Sequence, residues 1–257
     1  MNTLHGLNIR LFGRLIASVA LLCLASHPAF AQSDNHNESD VIPFSIAKMI
    51  IEFNATDEDV GVQVLLDGEP YKRLKIFRPD GREMLDLRAI RSLEEQGLTE
   101  LFFESSEPSL AEVPLKEFLA RFPAGEYRFE GEGIEGIGLE GEARFTHVIP
   151  AGPFLISPEE GAVADPNNTV IVWEPVTQTI TGSTDIKIVG YQVIVEREDP
   201  RRLFGVRVFS ADVPASVTSV TVPPEYMEPD TEYDFEVLAI EEGGNQTLSS
   251  SSFTTAP

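Results

Sequence analysis

The chain has 257 residues, with 42 acidic against 19 basic side chains, a formal net charge of −23 and a single cysteine. That charge excludes nucleic acid as a partner, because nothing here would neutralise phosphates. The lone Cys23 excludes disulfide scaffolds, Cys-ligated zinc and a cysteine nucleophile together.

Residues 1–31 read as a secretory signal. Arg10 and Arg14 form a positive start, Leu15 to Ala25 an apolar stretch, and Ala29-Phe30-Ala31 offers small residues where a signal peptidase cuts. The apolar stretch is well short of the roughly 20 residues that a membrane span needs. Leu22 before Cys23 is too bulky for a lipoprotein signal. Export to the periplasm or the medium is therefore expected, with the mature chain starting at Gln32 and without a membrane span. Residues 32–40 (QSDNHNESD) are polar, show no apolar period, and read as a disordered tail in which His36 is solvated.

From Val41 to Ile149 the pattern is that of a β-rich domain with tight turns. Ala47–Phe53, Gly61–Leu66 and Tyr71–Phe77 read as strands, with Asp67-Gly68 as a turn before the last of them. Arg78-Pro79-Asp80-Gly81 is a turn by its proline and glycine. Met84–Leu87 and Leu98–Glu104 follow as strands, and Ser92-x-x-Glu95 with Gly97 suggests one capped helical turn between them. Leu115, Phe118, Leu119 and Phe122 fall at i, i+3, i+4 and i+7. They predict one short helix, opened by Pro114 and stopped by Pro123. Glu126–Glu130 and Ala143–Ile149 alternate as closing strands, and Gly131–Gly141 between them reads as a long, twisted hairpin. It is not a phosphate loop, since its glycines alternate with acids. Pro150-Ala151-Gly152-Pro153 is a short, stiff linker at residues 150–153.

Residues 154–257 carry short runs punctuated by Pro, Gly and Asn, as a β-sandwich requires. Val170-Ile171-Val172-Trp173-Glu174-Pro175 resembles the second strand of a fibronectin type III domain with its core tryptophan. Val189–Val195 resembles the third strand, with Tyr191 in the core. Met227–Tyr233 followed by Asp234–Ile240 resembles the tyrosine corner and sixth strand, and Ser252–Thr255 the last strand. The resemblance runs from Pro153 to Pro257 and implies an immunoglobulin-like sandwich. Two departures stand out. The loop Thr177–Lys187 is long, and Glu241–Gln246 lacks the Arg-Gly-Asp that some members use for integrins. Residues 51–153 resemble the N-terminal region of uncharacterised secreted bacterial fibronectin type III proteins, a likeness that brings no activity with it. The expected fold is mainly β, with two β-sandwich-like domains in tandem.

Chemistry-bearing residues are sparse. His147 is the only histidine in the folded part, so neither a Ser-His-Asp triad nor a zinc site of His ligands is expected. Asn54, Asp57 and Asp59 sit in one oxygen-rich turn and are candidate calcium ligands, although their spacing is not that of an EF-hand. Without that ion no cofactor is expected. Asn54, Asn167 and Asn245 begin formal glycosylation sequons. The surface acidity itself preserves solubility and admits a cationic partner without requiring one.

These features describe an exported, non-catalytic binding protein for a protein or polysaccharide partner. A polysaccharide-binding role would need exposed aromatics in a row, with Tyr71, Phe77 and Tyr127 the candidates. A small carboxylate-dependent hydrolase would need two facing carboxylates of raised pKa in a pocket.

Overall fold

The computed structural model describes residues 41–202 and 205–257; the signal segment, the tail and His36 lie outside them. The first unit opens with β1 (Val41–Pro43) and β2 (Ile46–Asn54), followed by the long β3 (Asp59–Phe77). Then come β4 (Glu83–Arg88), α1 (Ser92–Gln96), β5 (Leu98–Glu104) and α2 (Leu115–Arg121). The hairpin β6 (Gly125–Gly133) and β7 (Gly138–Phe145) closes it.

β3 organises this unit. Along one edge it pairs first with β2 and then with β6; along the other it pairs first with β5 and then with β4. The register shifts between Asp67 and Tyr71, so Asp67-Gly68-Glu69-Pro70 is a bend within a paired strand and not the expected turn. A local Gly-Pro signal is the same for both; what differs is that β5 continues past it on one edge while β6 takes over from β2 on the other. Gly68 serves close approach, for a Cβ there would lie 2.9 Å from the Phe44 ring. The bend carries one strand through two layers, and alternate residues from each layer fill the core. Ile51, Val62, Val64 and Leu66 come from before the bend, and Leu74, Ile76, Tyr127, Phe129 and Phe145 from beyond it.

Two helices are present where one short helix and a capped turn were expected. α2 follows its apolar spacing, with Phe118 buried and Leu115, Leu119 and Phe122 packed against the core. α1 starts one residue earlier than a Ser92 cap would place it. Arg91 occupies the cap at φ 54° and no side chain caps the helix, whereas Gly97 ends it as expected at φ 79°. The Gly131–Gly141 segment is the expected hairpin, turning at Ile134–Ile137.

The second unit contains β8 (Leu155–Ser157), β9 (Ala162–Ala164), β10 (Val170–Trp173), β11 (Ile188–Glu198) and β12 (Val206–Pro214). It ends with β13 (Ser219–Thr221), β14 (Glu232–Glu241) and β15 (Gln246–Thr255). β13-β10-β8 form one sheet and β12-β11-β14-β15 lie in the other. Between them Trp173, Tyr191, Val193, Val195, Phe235, Val237 and Phe253 make a second core, separate from the first. Tyr233 forms the corner: its hydroxyl accepts the Glu228 N–H at 2.7 Å. Tyr191 likewise accepts from Val176 N–H at 2.8 Å.

The units are not independent beads. β15 pairs in parallel with β2, so one sheet of 12 strands runs through both. The linker was expected to hold the units in a preferred orientation; the β2–β15 ladder joins them directly beside it.

Candidate functional site

The seam is built from the two loops that depart from the family pattern. In the Glu241–Gln246 loop, Gly244 adopts φ +98° beside Ile50, which lets the chain turn against the first unit. This delivers Asn245, only 2% exposed, into the junction. Its Oδ1 accepts Ile51 N–H at 2.8 Å, and its Nδ2 donates to Thr146 Oγ1 at 2.9 Å and Val148 O at 2.9 Å. The long Thr177–Lys187 loop binds the linker: Ala151 N–H donates to Gln178 O at 2.8 Å and Ile180 N–H to Ile149 O at 3.0 Å. Ile180 also packs against the first core. Thr247 Oγ1 closes the contact by donating to Pro150 O at 2.7 Å.

On the outer face of the seam lies a cluster of carboxylates. Glu52 is 5% exposed and stands opposite Gln246 in the ladder. Gln246 Nε2 donates to Glu52 Oε2, and Gln63 Nε2 donates to Glu104 Oε1 at 2.9 Å. Oxygens of Glu52, Glu104 and Glu107 lie within 4.8 Å of one another. None of the three forms an ion pair among the described residues. Burial, with the repulsion of Glu104 and Asp59 added, pushes Glu52 up to about 7. Burial and the neighbouring Glu104, Asp59 and Glu52 raise Glu107 as well, and burial with Asp57 and Glu104 raises Asp59 to about 6. This is the one group among the described residues compact enough to gather on a cation. Its amide partners, however, present N–H donors where a cation's shell would present oxygens. Like charges this close, with no basic side chain among the described residues paired to them, hold protons more tightly.

Strand periodicity explains why the cluster was not expected. A lone Glu in an alternating strand reads as solvent-facing, and Glu52 is separated from Glu104 and Glu107 by about half the first unit. The available signal was Ile50, an apolar residue on the same outward side of β2, which indicates that this face is covered.

The expected candidates fall as follows. Asn54 Oδ1 accepts the N–H groups of Thr56 at 2.9 Å and Asp57 at 3.1 Å, while its Nδ2 donates to Asp57 Oδ2 at 3.0 Å. This is an Asx turn, in which the amide oxygen has another task than metal ligation. Asp59 begins β3 and is influenced by Glu104, so it belongs with the carboxylate cluster. A ring nitrogen of His147 is 2.8 Å from Phe122 O, a structural contact. Tyr71 and Tyr127 are wholly buried in the core, which removes them from the aromatic row a polysaccharide would need. Phe77 is covered on its face by Lys75 and Arg128.

A cleft of about 1120 Å³ crosses the seam. Ile50, Leu65 and Phe102 from the first unit face Gln192, Ile240 and Gln246 from the second, and the lining also carries Lys48, Arg144, Asp185, Lys187 and Asp212. Glu52, Glu104 and Glu107 do not line it; the cluster adjoins it through Gln246 and Gln63, which bond Glu52 and Glu104, and the acids of the lining itself are Glu142, Asp185, Asp212, Glu241 and Glu242.

No curated protein matches the chain. Among solved structures, it is similar to a chain from a computer-based redesign of a β-sandwich protein, at 23% identity over 41% of this chain and 95% of that one, TM-score 0.29. A myokine structure matches at 24% identity over 42% and 99%, TM-score 0.29. The FN1–FN3 domains of chicken CNTN1 match at 10% identity over 85% and 68%, TM-score 0.31. Residues 158–255 match the fibronectin type III domain family; that match does not reach residues 51–153, whose likeness to secreted bacterial proteins stays an expectation. The core tryptophan on β10, the tyrosine corner before β14 and the two facing sheets agree with it, and the C-terminal unit is a fibronectin type III domain.

Proposed function

We propose that the chain is an exported binding protein that presents its two β-units as one body and receives its partner in the cleft across their seam. The observation that carries this reading is Asn245. Its buried side chain bonds Ile51, Thr146 and Val148 of the first unit, while Glu242 and Gly243 of the same loop stay exposed and line the cleft, so the contact fixes the units together beside a shared concave surface. The floor supplied by Ile50, Leu65 and Phe102, the last 38% exposed, combines with a polar rim, as in recognition sites that bury an apolar anchor. Export rests on Arg10, Arg14, the apolar stretch and Ala29-Phe30-Ala31.

Photo-crosslinking in the producing cell tests the assignment. A crosslinkable residue at Phe102 or Gln192 is expected to capture one and the same partner, and one at Ile90, exposed elsewhere on the first unit, is not. Equal capture at all three positions would remove the cleft from the reading. The intact mass of the exported protein, expected to start at Gln32, tests export separately.

A further inference from the structure

We propose that the seam is a proton-operated joint: while the Glu52–Glu104–Glu107 cluster holds at least one proton, β2 and β15 stay paired, and full ionisation of the cluster parts them. Glu52 occupies the first of the ladder positions that join the two units, opposite Gln246, and its carboxylate takes the Gln246 amide hydrogen across the seam. Any force that moves Glu52 therefore acts directly on the strand pairing.

The groups facing Glu52 are all acids or amides. β3 contributes Asp59 and Gln63, β5 contributes Glu104, and the segment after it Glu107. Asp57 stands in the turn after β2, and Glu236 on β14 adds charge from the far side, with Oε2 buried and unpartnered. No lysine or arginine forms an ion pair with any of these among the described residues. The cluster thus has no counter-charge to draw on when its last protons leave, and repulsion is relieved by separation. Burial and mutual repulsion place that loss near neutral pH instead of in the ordinary carboxylate range. The other seam bonds, made by Asn245, Thr247 and Ile180, involve no titrating group. They keep the units tethered while the β2–β15 edge opens.

Amide hydrogen exchange of the intact chain at pH 6 and pH 9, corrected for the intrinsic rate, tests this. Protection of the amides in 52–55 and 246–248 is expected to fall at least tenfold, with the β11–β14 ladder unchanged. Glu52→Gln and, at an exposed position, Glu107→Gln should each abolish the fall; if the first does not fold, the second carries the comparison. Flat protection in the parent, or the same fall in the variants, overturns the proposal. Protection regained at pH 9 with millimolar calcium chloride, but not with sodium chloride of equal ionic strength, would assign the cluster to a cation and overturn it too.

Discussion

Asn245 Nδ2 donates to Thr146 Oγ1 at 2.9 Å, joining residues 99 positions apart and locking one unit to the other. The same carboxamide satisfies Ile51 N–H and Val148 O, so removing it strands two backbone groups in a buried site. Asn245→Ala should cost about 2–4 kcal/mol of stability in urea unfolding, from unmet hydrogen bonds at roughly 1–3 kcal/mol each. Asn245→Asp should be no better, because it turns a carboxylate oxygen toward Thr146 O and Val148 O. A loss below about 0.5 kcal/mol, within the range of ordinary surface changes, would mean that the seam does not depend on this residue. Burial also predicts that Asn245 stays unglycosylated in the folded protein even in a host that modifies Asn167, which mass spectrometry would show.

The tyrosine corner offers a test confined to the second unit. Tyr233→Phe deletes the acceptor for Glu228 N–H while keeping the ring against Phe253, 5.5 Å away between centroids. The expected cost is about 1 kcal/mol, the net worth of a typical hydrogen bond, with the fold unchanged. Circular dichroism and urea unfolding measure both, and an unfolded variant would show that the hydroxyl does more than bridge the corner.

How much of this was legible in the residues depends on whether the determining contacts are local. The fibronectin type III unit was readable because its core positions hold Trp173, Tyr191 and Tyr233 at fixed places in alternating strands. The helix at Leu115–Arg121 was readable from four apolar residues at helical spacing. The β3 bend was not, because Asp67-Gly68-Glu69-Pro70 looks the same whether the partners stop there or continue. The seam was half visible. The long Thr177–Lys187 loop and the Glu241–Gln246 loop depart from the family pattern in sequence, but their use emerges only where Ile149, Thr146 and Ile51 meet them in space. The carboxylate cluster joins three residues from β2, β5 and the segment beyond, and no window of sequence contains it.

The two cores share no buried side chain, which predicts that residues 153–257 fold alone. Trp173 is 1% exposed, so the fragment should show the blue-shifted emission of a buried indole and a cooperative unfolding transition. It should also be less stable than the same unit within the intact chain, because it loses the β2 ladder and every partner of the Asn245 side chain. Aggregation, or emission like that of a solvated tryptophan, would show that the linker does not separate two foldable units.

The pH dependence of global stability follows from Glu52 and its neighbours, and its sign is opposite to that of an ordinary surface acid. Glu52 is raised from 4.5 to about 7 in the folded chain, so between those values the native state holds a proton that the unfolded chain has already released. Stability is therefore greatest on the acid side of this window, falls as pH rises through it, and reaches its lower level above about 7. At 1.36 kcal/mol per pH unit, the shift of this single buried group is worth about 3 kcal/mol, before any shared contribution from Glu107. Asp199 acts in the other direction: held well below the usual range by Arg201 and Arg207, it adds stability above the unfolded carboxylate value that is lost as the pH falls through its own lowered one. The two together predict a maximum in mildly acidic solution and a decline toward pH 8. Urea unfolding at intervals from pH 4 to 9, at constant ionic strength, should show it. Glu52→Gln, which keeps an uncharged group in the same space, should flatten the decline and make the variant more stable than the parent at pH 8 to 9. A parent whose stability rises between pH 5 and 8, or a variant that declines as steeply as the parent, would mean that Glu52 is ionised in the folded protein throughout.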